Sequence, residues 1–101
     1  MHSRNYSLIL DFSRNVEDFR TGNRLYYPSS SIIFMSMIGF LLGATDWEEI
    51  VEISASSTDI LEEYLGEDFL GVPSHDTFSR FFSLVSNESL EKSFREVMQN
   101  M

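Results

Sequence analysis

The sequence contains no cysteine among its 101 residues, and this absence excludes several classes of protein. Without thiols there is no disulfide framework, no cysteine nucleophile and no zinc or iron–sulfur site built on cysteine. Long apolar runs are also missing. The longest, residues 32–44, has 13 residues and is interrupted by Ser36 and two glycines, whereas a membrane-spanning helix needs about 20. No signal-peptide pattern is visible, so we expect a cytoplasmic protein without a membrane partner.

Basic residues are scarce and unevenly distributed. Seven Lys and Arg residues stand against 16 Asp and Glu residues, which gives a net charge of −9. Residues 46–71 carry a charge of −9 by themselves, whereas residues 1–45 carry +1 and residues 72–101 carry −1. An autonomous nucleic-acid-binding domain has a basic patch or stripe. Any contact with DNA is therefore predicted for the two ends of the chain and not for its acidic middle.

Apolar residues make up 43% of the chain, and their spacing is helical. A chain of this length forms one domain with a modest core. No segment has the alternation typical of a strand. The sequence therefore predicts an all-α fold for residues 1–101, a compact bundle of about five short helices.

The helix boundaries follow from caps and turns. Serines 29–31 are predicted N-cap residues for a helix that is apolar on nearly every face, lies enclosed at the centre of the fold and ends at Gly43. Thr45 is predicted to cap the next helix through a capping box with Glu48. The remaining predictions are a short helix or extended segment at residues 7–12, a loop at 15–28, a helix from Ser57 or Thr58, a loop at 66–71, a helix at 74–85 and a last helix capped by Ser86 or Asn87.

Two groups of residues have the composition of a catalytic or metal site but not the arrangement. Ser74, His75 and Asp76 contain the residue types of a hydrolase triad, yet consecutive helical residues point about 100° apart and a triad must converge in space. Ser74 and Asp76 are instead expected to stabilise the start of a helix. The acidic residues of the middle have no histidine beside them and no calcium-loop motif. The sequence therefore predicts no enzyme activity, no metal site and no cofactor.

The helix after Pro73 is the strongest candidate for a binding surface. A short helix, a loop and a second helix with a Ser cap resemble a helix-turn-helix, in which the second helix presents its N-terminal residues to the major groove. Simple helical packing is the alternative, because the six-residue loop exceeds the usual turn of three to four residues. The candidate DNA-contacting residues are Arg20 and Arg24 in the loop before Pro28, and His75, Ser79, Arg80 and Ser83 on the solvent face of the second helix. Arg80 is the best single candidate for a guanine or phosphate contact.

At these motifs the sequence resembles the N-terminal domain associated with DDE transposases of the H-repeat insertion-sequence group. The resemblance runs from Asp11 to the end of the chain. Its motifs are Asp18-Phe19-Arg20 with Arg24 and Tyr26-Tyr27-Pro28, then Leu41-Leu42-Gly43-Ala44, Asp46-Trp47-Glu48-Glu49-Ile50, Val72-Pro73-Ser74-His75-Asp76-Thr77-Phe78-Ser79-Arg80-Phe81-Phe82 and Leu90-Glu91-Lys92-Ser93-Phe94.

The resemblance implies a helical domain ahead of an RNase-H-like domain in which three carboxylates hold two metal ions. Those carboxylates are expected beyond Met101, so we expect this chain to lack catalytic activity. Two functions follow from the resemblance. One is recognition or positioning of transposon DNA ends, with the DNA ends as partner. The other is protein–protein assembly, either with the catalytic transposase domain or through self-association. A further alternative is that the chain is a degenerate transposase remnant that does not bind DNA.

Overall fold

The computed structural model describes residues 3–16 and 26–85, together with helical backbone at Glu88, Lys92 and Arg95. Within these ranges the chain is helical and contains no strand, so the predicted all-α fold is confirmed. The helices are α1 (Ser3–Asn15), α2 (Ser29–Leu41), α3 (Trp47–Ser56), α4 (Thr58–Leu65) and α5 (His75–Leu84), with a 3₁₀ turn at Gly66–Asp68 between the last two. None of these helices is long and apolar enough to cross a membrane.

Helix α2 is the centre of the core and packs against α1, α3 and α5. Its residues 31–36, 38 and 39 are buried, and the polar side chains among them bond to the backbone of the same helix. Ser36, for example, donates to the Ile32 carbonyl at 2.8 Å. Gly39 allows the closest approach to α3, because a Cβ atom placed there would lie 2.6 Å from Cδ1 of Ile50. The predicted enclosed helix is thus confirmed for most of its length.

The last turn of α2 differs from that prediction. Phe40, Leu41 and Leu42 are 47%, 55% and 50% exposed. Just beyond them the helix ends as predicted at Gly43, whose φ of +106° is a left-handed conformation that suits glycine. The Ala44 amide donates to the Gly39 carbonyl at 2.9 Å, which completes a Schellman turn. The apolar pattern predicted the helix and its end correctly but was wrong about the burial of its last turn.

Two of the predicted caps differ from those in the structure. The N-cap of α2 is Pro28, and residues 29–31 already lie inside the helix, where the Ser31 hydroxyl donates to the Pro28 carbonyl at 3.0 Å. The N-cap of α3 is Asp46, whose carboxylate accepts from the Glu49 amide at 2.8 Å. Thr45 lies one residue earlier and donates its hydroxyl to the Glu49 carboxylate. The Asp46 carboxylate therefore has the capping role that was predicted for the Thr45 hydroxyl.

The predicted helix-turn-helix-like pair is not confirmed. Helix α5 packs against α3 and α2, whereas α4 packs against α1, α3 and the 3₁₀ turn. In a helix-turn-helix the two helices are packed together by their short turn, but here residues 66–74 separate α4 from α5. Of the predicted last helix, the structure describes only Glu88, Lys92 and Arg95, which are helical. Its cap at Ser86 or Asn87, and residues 17–25 of the predicted loop, lie outside the described residues. Helix α1 is longer than the predicted segment at residues 7–12.

Candidate DNA-contacting surface

Helix α5 begins at a well-formed cap. The Ser74 hydroxyl accepts from the Thr77 amide at 3.3 Å and lies 3.1 Å from the Thr77 hydroxyl. Asp76 follows in the first turn, where the helix dipole favours a negative charge. The predicted cap at Ser74 is therefore confirmed, and the start of α5 has a structural explanation that involves no catalysis.

The buried side of α5 is aromatic. Phe78 and Phe81 are buried, and Phe82 is half-buried beside them. The rings of Phe78 and Phe82 are stacked on Trp47 of α3, with centroids 6.2 Å and 5.2 Å from the indole. These stacked rings connect α5 to the first residue of α3. They fix which side of α5 faces the core and therefore which side faces solvent.

The solvent side of α5 carries the four candidate residues that the structure describes. His75, Ser79, Arg80 and Ser83 are all exposed. At 100° per residue, they lie within an arc of about 140° on the helix surface. Asp76 lies in the same arc and is also exposed. The sequence pattern therefore located these side chains on one face, as predicted. Arg20 and Arg24 lie outside the described residues.

The polar groups of this face differ in their availability. The Ser83 hydroxyl donates to the Arg80 carbonyl at 2.7 Å, so it is already engaged. His75 Nε2 lies 3.4 Å from the Asp76 carboxylate, with the two side chains 53% and 68% exposed. Among the described residues, no carboxylate lies within ion-pair distance of the Arg80 guanidinium. Arg80 is therefore the group on this face that is most available for an anionic partner.

The triad-like sequence does not form a triad. Ser74 is directed to the backbone and hydroxyl of Thr77, while His75 contacts Asp76 at the protein surface. In a triad the histidine bonds to both the nucleophile and the acid, and the acid is normally buried. Exposed, consecutive residues at a helix start have neither property.

The acidic middle of the chain forms an exposed surface on α3, α4 and the following turn. Eight of its nine carboxylate residues are exposed and Glu49 is half-buried. In residues 3–16 and 26–85, no three potential ligands are grouped so that they could hold a metal ion. The charges are spread over helix surfaces instead of converging in a cleft.

Sequence reasoning missed one surface. The exposed last turn of α2 lies beside the aromatic stack, because the Phe40 ring contacts Trp47 with centroids 5.7 Å apart. The motif Leu41-Leu42-Gly43 was visible in the sequence, but its apolar residues predicted core. One signal in the sequence could have identified the surface. Helix α2 is apolar on all sides, and this is more apolar surface than one helix of a small domain usually buries.

Comparison with known proteins shows the family to which the sequence belongs. Residues 10–98 match the family model described as DDE_Tnp_1-associated. The chain is 30% identical over 91 residues to "Putative transposase YncI" of Escherichia coli O157:H7, which covers 90% of this chain and 23% of that protein. It is 28% identical over 79 residues to "H repeat-associated putative transposase YbfD" of E. coli K12, covering 78% of this chain and 31% of that protein.

A third relative is shorter. "Inactive transposase YbfQ" of E. coli K12 is 30% identical over 66 residues, which cover 65% of this chain and 77% of that protein. No solved structure matches. The helical fold and the motifs on α2, α3 and α5 thus define a transposase-associated domain, and the chain belongs to the DDE_Tnp_1-associated family. It spans about a quarter of the length of the YncI relative, and the family description refers to a region associated with the transposase.

Proposed function

We propose that this domain helps an insertion-sequence transposase to recognise or position DNA ends, with the solvent face of α5 as the contact surface. The observation that carries the proposal is the exposed Arg80, which no described carboxylate neutralises, on the same face as His75 and Ser79. Arginine binds phosphate and guanine through the same planar fork of donors. Membership of a transposase-associated family supports DNA as the partner.

The balance of charges predicts how strong this contact is. Asp76 lies on the same face as Arg80 and repels phosphate, and the whole chain carries a charge of −9. Non-specific binding depends on the number of phosphates that a protein neutralises. We therefore expect weak binding by the isolated domain and a supporting role for α5 within a larger complex. The proposal concerns positioning and includes no bond cleavage.

The experiment compares two duplexes and two arginine variants. One duplex carries the terminal inverted repeat of an insertion sequence that encodes a related transposase, and the other is a shuffled sequence. Fluorescence anisotropy is measured from roughly 50 mM salt upward, since phosphate contacts give a steep salt dependence. The Arg80→Gln variant is expected to weaken binding and to reduce the salt slope by about 1.

The matched control is Arg14→Gln, which removes the same charge from an exposed position at the end of α1. If Arg80→Gln and Arg14→Gln weaken binding equally, α5 has no special role. Equal binding of both duplexes by the unchanged protein at the lowest salt concentration would contradict recognition of DNA ends.

A second candidate function is assembly, supported by a different observation. Phe40, Leu41 and Leu42 are three consecutive apolar residues that are about half exposed, and such a surface is typical of a protein contact. Light scattering and a pull-down with the catalytic domain of a related transposase test this role. A domain that is monomeric at all concentrations and does not bind the catalytic domain would contradict the assembly role.

A further inference from the structure

The end of α2 is an apolar surface that is about half exposed in the part of the chain that the structure describes. We call Phe40, Leu41 and Leu42 the α2 tip. Single exposed apolar side chains are common on soluble proteins, but the three residues of the tip are consecutive and 47–55% exposed. Because successive helical residues point in different directions, together they cover much of the circumference of this helix end.

The fold holds the α2 tip in a defined position. The Schellman turn at Gly43 fixes the end of the helix through the bond from the Ala44 amide to the Gly39 carbonyl. On the inner side, the Phe40 ring meets Trp47 edge to face, with an interplanar angle of 64°. The tip is therefore a formed surface on the domain, which a partner can bind without first ordering it.

Negative charge lies next to the α2 tip. Asp46, Glu48 and Glu49 follow it within seven residues of Leu42, and the sequence contains no Lys or Arg from residue 25 to residue 79. Four residues span at most about 14 Å, so Asp46 is close to the tip even before the turn at Gly43 is considered. Within the described part of the chain, none of these three carboxylates has a Lys or Arg in ion-pair distance.

These charges determine which partner fits. A lasting interface needs roughly 800 Å² from each partner, which is more than three half-exposed side chains provide. Part of the remaining contact must come from the N-cap and first turn of α3, which lie beside the tip through the Phe40–Trp47 contact and carry Asp46, Glu48 and Glu49. A second copy paired through the same surface would place acidic groups against acidic groups. An anionic membrane would likewise be repelled. A basic protein segment that also carries apolar side chains matches both parts of the surface: its apolar side chains contact the tip, and its basic side chains contact the carboxylates.

We propose that the α2 tip and the carboxylates of Asp46, Glu48 and Glu49 bind a basic protein segment whose leucine-like side chains form one face of a helix. This inference deepens the assembly role and rests on it, but it is independent of DNA binding by α5. Apolar anchors in such contacts supply affinity, and charged residues around them supply specificity.

The sequence provides its own reporter for the experiment. Trp47 is the only tryptophan, and it contacts Phe40 directly. The domain is titrated with a helical peptide that has leucine on one face and lysine on the other. The comparison peptides replace lysine by glutamate or leucine by serine. We expect the Leu/Lys peptide to shift the Trp47 emission and to bind at least ten times more tightly than either comparison peptide.

Two pairs of variants locate the site. Leu41→Ser with Leu42→Ser is expected to weaken binding at least tenfold, whereas Leu70→Ser changes a leucine that is 41% exposed elsewhere and leaves binding unchanged. Glu48→Gln is expected to weaken binding several-fold and more than Glu62→Gln, which removes the same charge from the exposed side of α4. Circular dichroism confirms that each variant is folded, and isothermal calorimetry provides a second measurement of affinity.

Each of the following results would overturn the proposal. Equal affinity for the Leu/Lys and Leu/Glu peptides would show that charge does not select the partner. Equal losses in the tip variant and in Leu70→Ser would place the contact elsewhere. A shift of Trp47 emission with vesicles of anionic and zwitterionic lipid, but not with the peptide, would identify a membrane surface instead.

The catalytic domain separates failure of this inference from failure of the assembly role. If the peptides do not bind while the catalytic domain still binds, the partner chemistry is wrong and the assembly role stands. If neither the peptides nor the catalytic domain binds, the inference and the assembly role are both wrong.

Discussion

Helices α2 and α5 are both rich in apolar residues, but the fold uses them differently. Helix α2 is buried at residues 31–36, 38 and 39 and exposes apolar side chains in its last turn. Helix α5 buries one side, with Phe78 and Phe81 against the core, and exposes polar side chains on the other. Apart from Leu84 in its last turn, which is 59% exposed, the surface of α5 therefore follows the ordinary division between core and solvent. The surface at the end of α2 does not, because Phe40, Leu41 and Leu42 are apolar and about half exposed.

The largest effect is expected inside α2. Phe34 is fully buried, whereas Phe40 is 47% exposed on the same helix. Phe34→Ala is expected to lower the free energy of unfolding by about 3–5 kcal/mol, because it leaves a cavity in the core. Phe40→Ala is expected to lower it by about 1 kcal/mol, since half of the ring is already in water. Urea unfolding followed by circular dichroism measures both. Equal losses would mean that the tip belongs to the core.

A smaller effect is expected where α2 meets α3. Gly39→Ala places a methyl group 2.6 Å from Cδ1 of the buried Ile50. Overpacking costs about 1–3 kcal/mol, and alanine regains up to about 1 kcal/mol of helix propensity. We therefore expect a net loss of about 1 kcal/mol in the free energy of unfolding.

The cause of that loss can be tested with Ile50→Val, which removes the crowded methyl group. In a double-mutant cycle, Gly39→Ala combined with Ile50→Val should be less destabilised than the sum of the two single changes. Strict additivity would show that the side chain of Ile50 is not what limits the approach of the two helices.

The cap of α5 is expected to contribute about as much. Ser74→Ala removes the acceptor of the Thr77 amide and is expected to cost about 1 kcal/mol. Ser79→Ala changes the same residue type at an exposed position within α5 and is expected to be neutral or slightly stabilising, by less than about 0.5 kcal/mol. Thermal unfolding of both variants measures the difference. A cost at Ser79 that equals the cost at Ser74 would mean that the polar face of α5 contributes to folding.

Local patterns predicted what local physics decides. The spacing of His75, Ser79, Arg80 and Ser83 predicted the solvent side of α5 correctly. Gly43 likewise predicted the end of α2. The position of the α3 cap was missed by one residue, because Thr45 and Asp46 each stand three residues before a glutamate and both sequences satisfy the same pattern. Backbone conformation decides between them: Asp46 has the extended conformation of an N-cap.

Tertiary packing could not be read in the same way. The resemblance of α4 and α5 to a helix-turn-helix depended on spacing along the chain, but α5 packs on α3 through Trp47, a contact between distant positions. Burial of the α2 tip was overpredicted. An apolar residue type indicates that the side chain avoids water, but it does not indicate whether the same chain or another molecule covers it. At residues such as Leu41 and Leu42, which are apolar but about half exposed, the sequence predicts a core and the structure offers a surface.

The smallest effect on stability is expected from the charges on α5, and these charges distinguish the two surfaces most directly. Asp76→Asn weakens the favourable interaction with the helix dipole, a loss of about 0.5 kcal/mol at most for an exposed group. It also removes the negative charge from the face that carries Arg80, so we expect tighter binding to DNA, by a few-fold at low salt. Binding of the Leu/Lys peptide to the α2 tip should be unchanged. Anisotropy and Trp47 emission measure the two affinities on one variant. If Asp76→Asn alters both affinities together, then the α5 face and the α2 tip form one surface, and the separate functions proposed for them would have to be merged.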